Sequence, residues 1–213
     1  MWVKICGITT EEGAQAAVSF GADAIGFVFA PSRRRVDPDR AREIAGLIPG
    51  KIDRIGVFMN ETASRVAEIA QRAGLTGVQL HGDESPEYCR RLKALLERRP
   101  GNPRIIKGFR LRGPDDVGAI AGYPSDAVLV DAFVEEAAGG TGQTCDWDLA
   151  RRAVTRSKSP VILAGGLTPE NAARAIEVVG PAGVDVSSGV ETGGRKDPAK
   201  IQRFVQEVRR CKL

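Results

Sequence analysis

Apolar residues along the chain follow two rhythms that alternate from one end to the other. Runs of four to six residues, rich in Val, Ile and Ala, are each followed by a stretch whose apolar positions recur every three or four residues. The first pattern predicts buried strands and the second amphipathic helices. The predicted strands are residues 3–6, 24–29, 54–58, 77–80, 105–109, 127–131, 161–164 and 184–187. The predicted helices are residues 10–20, 38–47, 63–73, 86–96, 147–154, 169–178 and 198–210. After the fifth strand, glycine and proline leave residues 114–121 room for one or two turns. Four helices open with a capping residue and a proline at the first helical position: Asp37-Pro38, Ser85-Pro86, Thr168-Pro169 and Asp197-Pro198.

Eight strand–helix units with short connections predict an α/β fold, a single (β/α)8 TIM barrel filling one domain over residues 1–213. The competing architecture is an open doubly wound sheet, but the first strand is not followed by a GxGxxG fingerprint. In a barrel, chemistry belongs to the residues that end the strands. Here those are Cys6, the segment 30–35, Asn60, His81 with Gly82, Arg110, Asp131, Gly165 with Gly166, and Ser187 with Ser188 and Gly189.

Composition narrows the function classes. With 213 residues, 42% of them hydrophobic, the chain can bury one large core. The net charge is +4 and Arg33-Arg34-Arg35 is the tightest basic run, but elsewhere bases and acids interleave as on a solvated helix face. No nucleic-acid module accompanies the charge, so no nucleic-acid partner is expected, and a mild positive field suits a small anionic substrate. No apolar run approaches a membrane span and the first residues enter a strand without a leader pattern, so no membrane association is expected. Four scattered cysteines without a CxxC pair predict neither disulfides nor a zinc site, which fits a reducing cytoplasm. Asn60-Glu61-Thr62 matches a glycosylation sequon that a cytosolic chain would not use.

Candidate chemistry gathers at the strand ends. Alternation puts Lys4 and Cys6 on one face of the first strand and Val3 and Ile5 on the other. Asp131 shares the inward face of its strand with Ala127 and Leu129, where an apolar rim suits a general acid. Glycine-bearing ends at Gly165-Gly166 and at Ser187-Ser188-Gly189 have the form of a phosphate cradle, because loops after the seventh and eighth strands turn backbone N–H groups towards an anion. Closure makes the first and eighth strands neighbours, so an inward Lys4 is predicted to pair with Asp185 or another inward acid and to favour the Cys6 thiolate. His81, the only histidine, is read as pocket wall. Arg33 and Arg35 are read as solvated, and Cys89 as filler on a helix face.

Several stretches together resemble the phosphoribosylanthranilate isomerase family of tryptophan biosynthesis. They are Lys4-Ile5-Cys6-Gly7-Ile8-Thr9, Gly26-Phe27-Val28-Phe29, Ser32-Arg33-Arg34, Gly77-Val78-Gln79-Leu80-His81-Gly82, Gly140-Thr141-Gly142, Asp146-Trp147, Gly165-Gly166-Leu167 and the run from Asp185 to Glu191. The resemblance implies an Amadori rearrangement of N-(5'-phosphoribosyl)anthranilate to 1-(2-carboxyphenylamino)-1-deoxyribulose 5-phosphate, without cofactor or metal. It implies Cys6 as the base that takes the C2' proton, Asp131 as the acid that protonates the ring oxygen, and Arg34 as the partner of the anthranilate carboxylate. Gly165, Gly166, Ser187, Ser188 and Gly189 would hold the phosphate, with Asp185 lining the same pocket. Its partner would be that phosphorylated small molecule, and the chain a monomer or homodimer. Three positions depart from the family pattern: Arg35 replaces an aromatic residue, Cys145 a phenylalanine before Asp146-Trp147, and Ala164 a serine.

Two other readings keep the barrel. Another sugar-phosphate enzyme is the first, but an epimerase needs metal ligands that one histidine at the strand ends does not supply, and indole-glycerol-phosphate synthesis goes with a long N-terminal extension. The second is a silent phosphate-binding barrel, against which stand Cys6, Asp131 and Arg34 together.

Overall fold

Strands too short to stand alone are tied together here by helices that cross from each to the next. The computed structural model describes residues 1–98, 101–131 and 146–211. In chain order they form β1 (Trp2–Cys6), α1 (Glu11–Ser19), β2 (Ala24–Val28), α2 (Pro38–Gly46), β3 (Asp53–Phe58), α3 (Ala63–Arg72), β4 (Gly77–Leu80) and α4 (Pro86–Leu96). There follow β5 (Arg104–Arg110), α5 (Pro114–Ile120), β6 (Ala127–Asp131), α6 (Trp147–Arg156), β7 (Val161–Ala164), α7 (Ala172–Val179) and β8 (Gly183–Val186). A single 3-10 turn (Ser188–Val190), a small hairpin of β9 (Glu191–Thr192) and β10 (Arg195–Lys196), and α8 (Pro198–Arg210) complete the described chain. The first eight strands close into one parallel barrel, β8 pairing back onto β1.

Local chemistry sets most helix starts. Thr10, Asp37, Thr62, Ser85, Asp146 and Asp197 each accept a backbone N–H of the first turn with a side-chain oxygen. The expected cap at Thr168-Pro169 behaves differently, and α7 begins three residues later than its proline. Asn171 Oδ1 accepts the Thr168 N–H at 2.8 Å and Thr168 Oγ1 accepts the Glu170 N–H at 3.2 Å. These side chains close a turn of their own before the helix can start.

The barrel wall separates two apolar regions. Outward residues such as Val3, Ile5, Ile25, Phe27, Val78 and Leu163 pack under the helices in the main core. The inward cluster is smaller: Ala24, Ile55, Ile106, Leu129, Ile162 and Ala164, with Trp2 and Ala127 against it. Above that plug the interior turns polar. Lys4 is fully buried, and its ammonium lies 3.0 Å from Asp185 Oδ2 and donates to Gln79 Oε1. Register explains the meeting, since Lys4 and Asp185 are direct partners across the β1–β8 seam that closes the barrel.

Burial alone would push the Lys4 pKa down, but the Asp185 charge and the hydrogen bonds that the ammonium donates to Asp185 and Cys6 outweigh it and hold the ammonium above its usual value. Removing one partner of a buried ion pair strands the other charge, at about 3–5 kcal/mol. Lys4→Met is therefore expected to lower stability by that amount in urea titrations. Adding Asp185→Asn should restore part of the loss, because no unpaired carboxylate then remains.

Candidate active site

The β1 strand ends with the Cys6 thiol on the inward face, 8% exposed and directly above Lys4. Its neighbour across the β1–β2 ladder is Gly26, where a Cβ would lie 2.8 Å from Cys6 Sγ, so only glycine leaves the sulfur its place. Burial raises the thiol pKa and the Asp185 carboxylate adds to the rise, while Lys4, Lys196 and the Gly7 N–H pull it down. The expected help from Lys4 thus exists but does not win, and the thiol titrates above its ordinary range.

Asp131 ends β6 in register with Arg110 of β5, its side chain 26% exposed at the rim. His81 Nε2 approaches Asp131 Oδ2 at 3.8 Å, and His81 Nδ1 lies 3.2 Å from Gln79 Nε2. The histidine expected to be plain wall therefore stands in contact with both the rim acid and the polar interior.

Arg34 lies on the loop after β2, and its guanidinium is held from below. Glu191 accepts Arg34 Nε at 2.7 Å and Nη2 at 2.9 Å, and it also accepts Lys196 Nζ at 2.7 Å and Arg33 Nη2 at 3.1 Å. Arg33, expected to be only solvated, is 65% exposed yet reaches that carboxylate. Burial would raise the Glu191 pKa, but the hydrogen bonds and charges of Arg34 and Lys196 hold it at about 2. Arg35 faces away into a cavity of about 580 Å³ lined also by Phe29, Phe58 and Met59, which includes neither Cys6 nor Asp131.

The loops after β7 and β8 touch. A Cβ on Gly189 would lie 1.8 Å from the Leu167 carbonyl oxygen, and Gly165 and Gly166 adopt φ of 90° and 63°, which bends the chain sharply where β7 stops. Ser187 donates its hydroxyl to the Cys6 carbonyl at 3.0 Å and accepts Lys196 Nζ at its own carbonyl at 2.9 Å. Ser188 and Gly189 form the 3-10 turn that follows. Asp185 Oδ1 is buried with no hydrogen-bond partner among the described residues, while Oδ2 holds Lys4.

Glu191 and Lys196 are the site residues that sequence reasoning passed over. Gly193-Gly194 is the two-glycine pair of a tight hairpin turn, and a turn there places Lys196 back beside Glu191. Gly140-Thr141-Gly142 and Cys145 lie outside the described residues.

A closed parallel barrel with a thiol, a carboxylate and a buried cation network gathered at the C-terminal ends of its strands defines a (β/α)8-barrel enzyme of the acid–base kind. A model of the N-(5'-phosphoribosyl)anthranilate (PRA) isomerase family matches residues 3–207, and the chain belongs to that family. The N-(5'-phosphoribosyl)anthranilate isomerase of Moorella thermoacetica is 47% identical over 210 residues, 98% of this chain and 90% of that one. The crystal structure of phosphoribosyl anthranilate isomerase from Thermotoga maritima superposes with a TM-score of 0.84 at 39% identity, covering 98% of both chains. A phosphoribosyl anthranilate isomerase in complex with reduced 1-(o-carboxyphenylamino)-1-deoxyribulose 5-phosphate gives 0.82 at 37% identity, again with 98% of both chains covered.

The Glu191 cluster generates a pH prediction. A carboxylate whose folded pKa is about 2 binds protons less readily than its unfolded counterpart near 4.3, so its stabilisation is present above that range and is lost as pH falls towards 2. Urea midpoints measured from pH 6 to pH 2 should show wild type falling towards the Glu191→Gln variant, with the gap between them closing over that window.

Proposed function

We propose that Cys6 and Asp131 are the base and the acid of the family's reaction, the Amadori rearrangement of N-(5'-phosphoribosyl)anthranilate in tryptophan biosynthesis. What carries the reading is their placement: both side chains end strands on the inward face of one barrel, above a shared polar floor, and the two strands lie three apart round the closed sheet. Asp131 protonates the ring oxygen, the C1'–O bond breaks, and the nitrogen lone pair closes an iminium at C1'. Cys6 then takes the C2' proton, and the electrons of that bond neutralise the iminium to give an enolamine. Protonation at C1' and loss of the hydroxyl proton at C2' yield the ketone. Because burial raises the Cys6 pKa, the thiolate is scarce at neutral pH but correspondingly more basic towards carbon.

Binding follows from the same rim. Glu191 occupies Nε and one side of Nη2 of Arg34, which leaves Nη1 to meet the anthranilate carboxylate. Lys196 and Arg34 against one Glu191 leave the corner net positive, which suits an anionic substrate. The loops of Gly165 and Gly166 and of Ser188 and Gly189 turn towards the phosphate, and Ser187 joins them through its backbone because its hydroxyl holds β1. Asp185 lines the floor of the same pocket, and a sugar hydroxyl would meet the unpartnered Oδ1 only if that buried atom becomes exposed on binding. We place the reaction in the cytoplasm: no helix among the described residues is long and apolar enough to cross a membrane, and Cys6, Cys89 and Cys211 carry free thiols.

Steady-state fluorescence of phosphoribosylanthranilate consumption tests the assignment. Cys6→Ser and Asp131→Asn are each expected to lower kcat by about 10² or more, the ordinary size of a general-base or general-acid contribution, with a smaller change in affinity for a product analogue. Near-normal turnover in either variant would remove that residue from its role.

A further inference from the structure

Between β1 and β6 the barrel mouth holds a line of side chains that the roles above leave unexplained. It runs from the Lys4 ammonium to Gln79 Oε1, from Gln79 Nε2 to His81 Nδ1 at 3.2 Å, and from His81 Nε2 to Asp131 Oδ2 at 3.8 Å. We infer that His81 is a positioning residue: Lys4 and Gln79 fix its neutral ring as the Nε2–H tautomer, and that N–H steadies the Asp131 carboxylate once it has given its proton to substrate.

Each link leaves one choice for the next. A lysine ammonium can only donate, so the end of Gln79 that faces it is the carbonyl oxygen. The other end is then the NH₂ group, which also only donates, so Nδ1 of His81 must offer a lone pair. A neutral imidazole with a bare Nδ1 carries its proton on Nε2, the atom that points at Asp131. Because Lys4 is fully buried and held by Asp185, the start of the line cannot turn round.

The ring's seat is shaped as well. On the neighbouring strand a Cβ at Gly108 would lie 2.5 Å from His81 Nδ1, and the absence of a side chain there is what lets the imidazole lie against β5 in reach of both partners.

The 3.8 Å separation says when the contact matters. It is longer than a hydrogen bond, so for this role the two groups must draw together as the reaction proceeds. While Asp131 is protonated its O–H is directed at the ring oxygen. After the transfer the carboxylate is charged, and Nε2–H is placed to donate to it. The bond therefore strengthens as the reaction proceeds and acts on kcat rather than on substrate affinity. This rests on Asp131 as the acid.

His81 is the only histidine in the chain, so ¹⁵N-histidine labelling of untagged protein gives one pair of ring signals. A bare Nδ1 and a protonated Nε2 at neutral pH are expected, and the reverse tautomer would overturn the inference. Gln79→Glu replaces the donating amide with an acceptor and should put a proton on Nδ1; an unchanged spectrum would remove Gln79 from the device. In turnover, His81→Gln keeps an N–H where Nε2 stood and should retain kcat within about threefold. His81→Asn is the same chemical group without that reach, and should lose about 10- to 100-fold in kcat, the worth of a hydrogen bond to a charged group, with KM within about threefold. Equal kcat in the two variants would refute the role. An inactive Asp131→Asn beside unaffected His81 variants would sink this inference alone, whereas an active Asp131→Asn would sink the acid assignment with it.

Discussion

One buried ammonium organises the mouth of this barrel. Lys4 has no solvent to turn to, and a charge in that position survives only where acceptors surround it. Its needs are met by Asp185 from the strand that closes the barrel and by Gln79 from across the interior. Both partners are thereby fixed in direction. Asp185 turns one oxygen to Lys4 while the other stays buried without a hydrogen-bond partner among the described residues, and Gln79 must present its amide nitrogen to His81. The thiol above inherits the field of the pair, positive from Lys4 and negative from Asp185.

Below this floor the interior is filled by Ala24, Ile55, Ile106, Leu129, Ile162 and Ala164, which hold the strands together and exclude water from the ion pair. A dry plug under a polar floor raises the worth of every charge interaction above it. The second cluster follows the same logic on the loops: Glu191 is nearly buried, and it organises Arg33, Arg34 and Lys196 while engaging only Nε and Nη2 of Arg34. The two networks meet at Ser187, whose hydroxyl holds the Cys6 carbonyl and whose carbonyl holds Lys196.

Much of this was legible in the chain because the signals are local. Parallel strands buried on both faces read as short apolar runs, capped prolines mark the helix starts, and alternation assigned Lys4, Cys6 and Asp131 to the inward face. Closure then made Lys4 and Asp185 neighbours, a long-range contact that followed from topology alone. What was missed depends on distance or on competing local bonds. Glu191 and Arg34 are 157 positions apart, and nothing in either segment announces the other. The delayed start of α7 reflects side-chain bonds at Thr168 and Asn171 that a cap-and-proline rule does not weigh. His81 was read as pocket wall at a strand end, but its position there does not say which side chains it meets.

Burial pushes the Cys6 thiol up, and the Lys4–Asp185 pair beneath adjusts it in opposite senses, the cation down and the anion up. Titration of thiolate absorbance, taken as the difference between each protein and its own Cys6→Ser counterpart, measures that directly. The wild-type thiol should ionise above the ordinary thiol range, Lys4→Met should move it higher by removing the cation, and Asp185→Asn should move it lower by removing the anion. Displacements of the same sign in both variants, or none in either, would contradict the account.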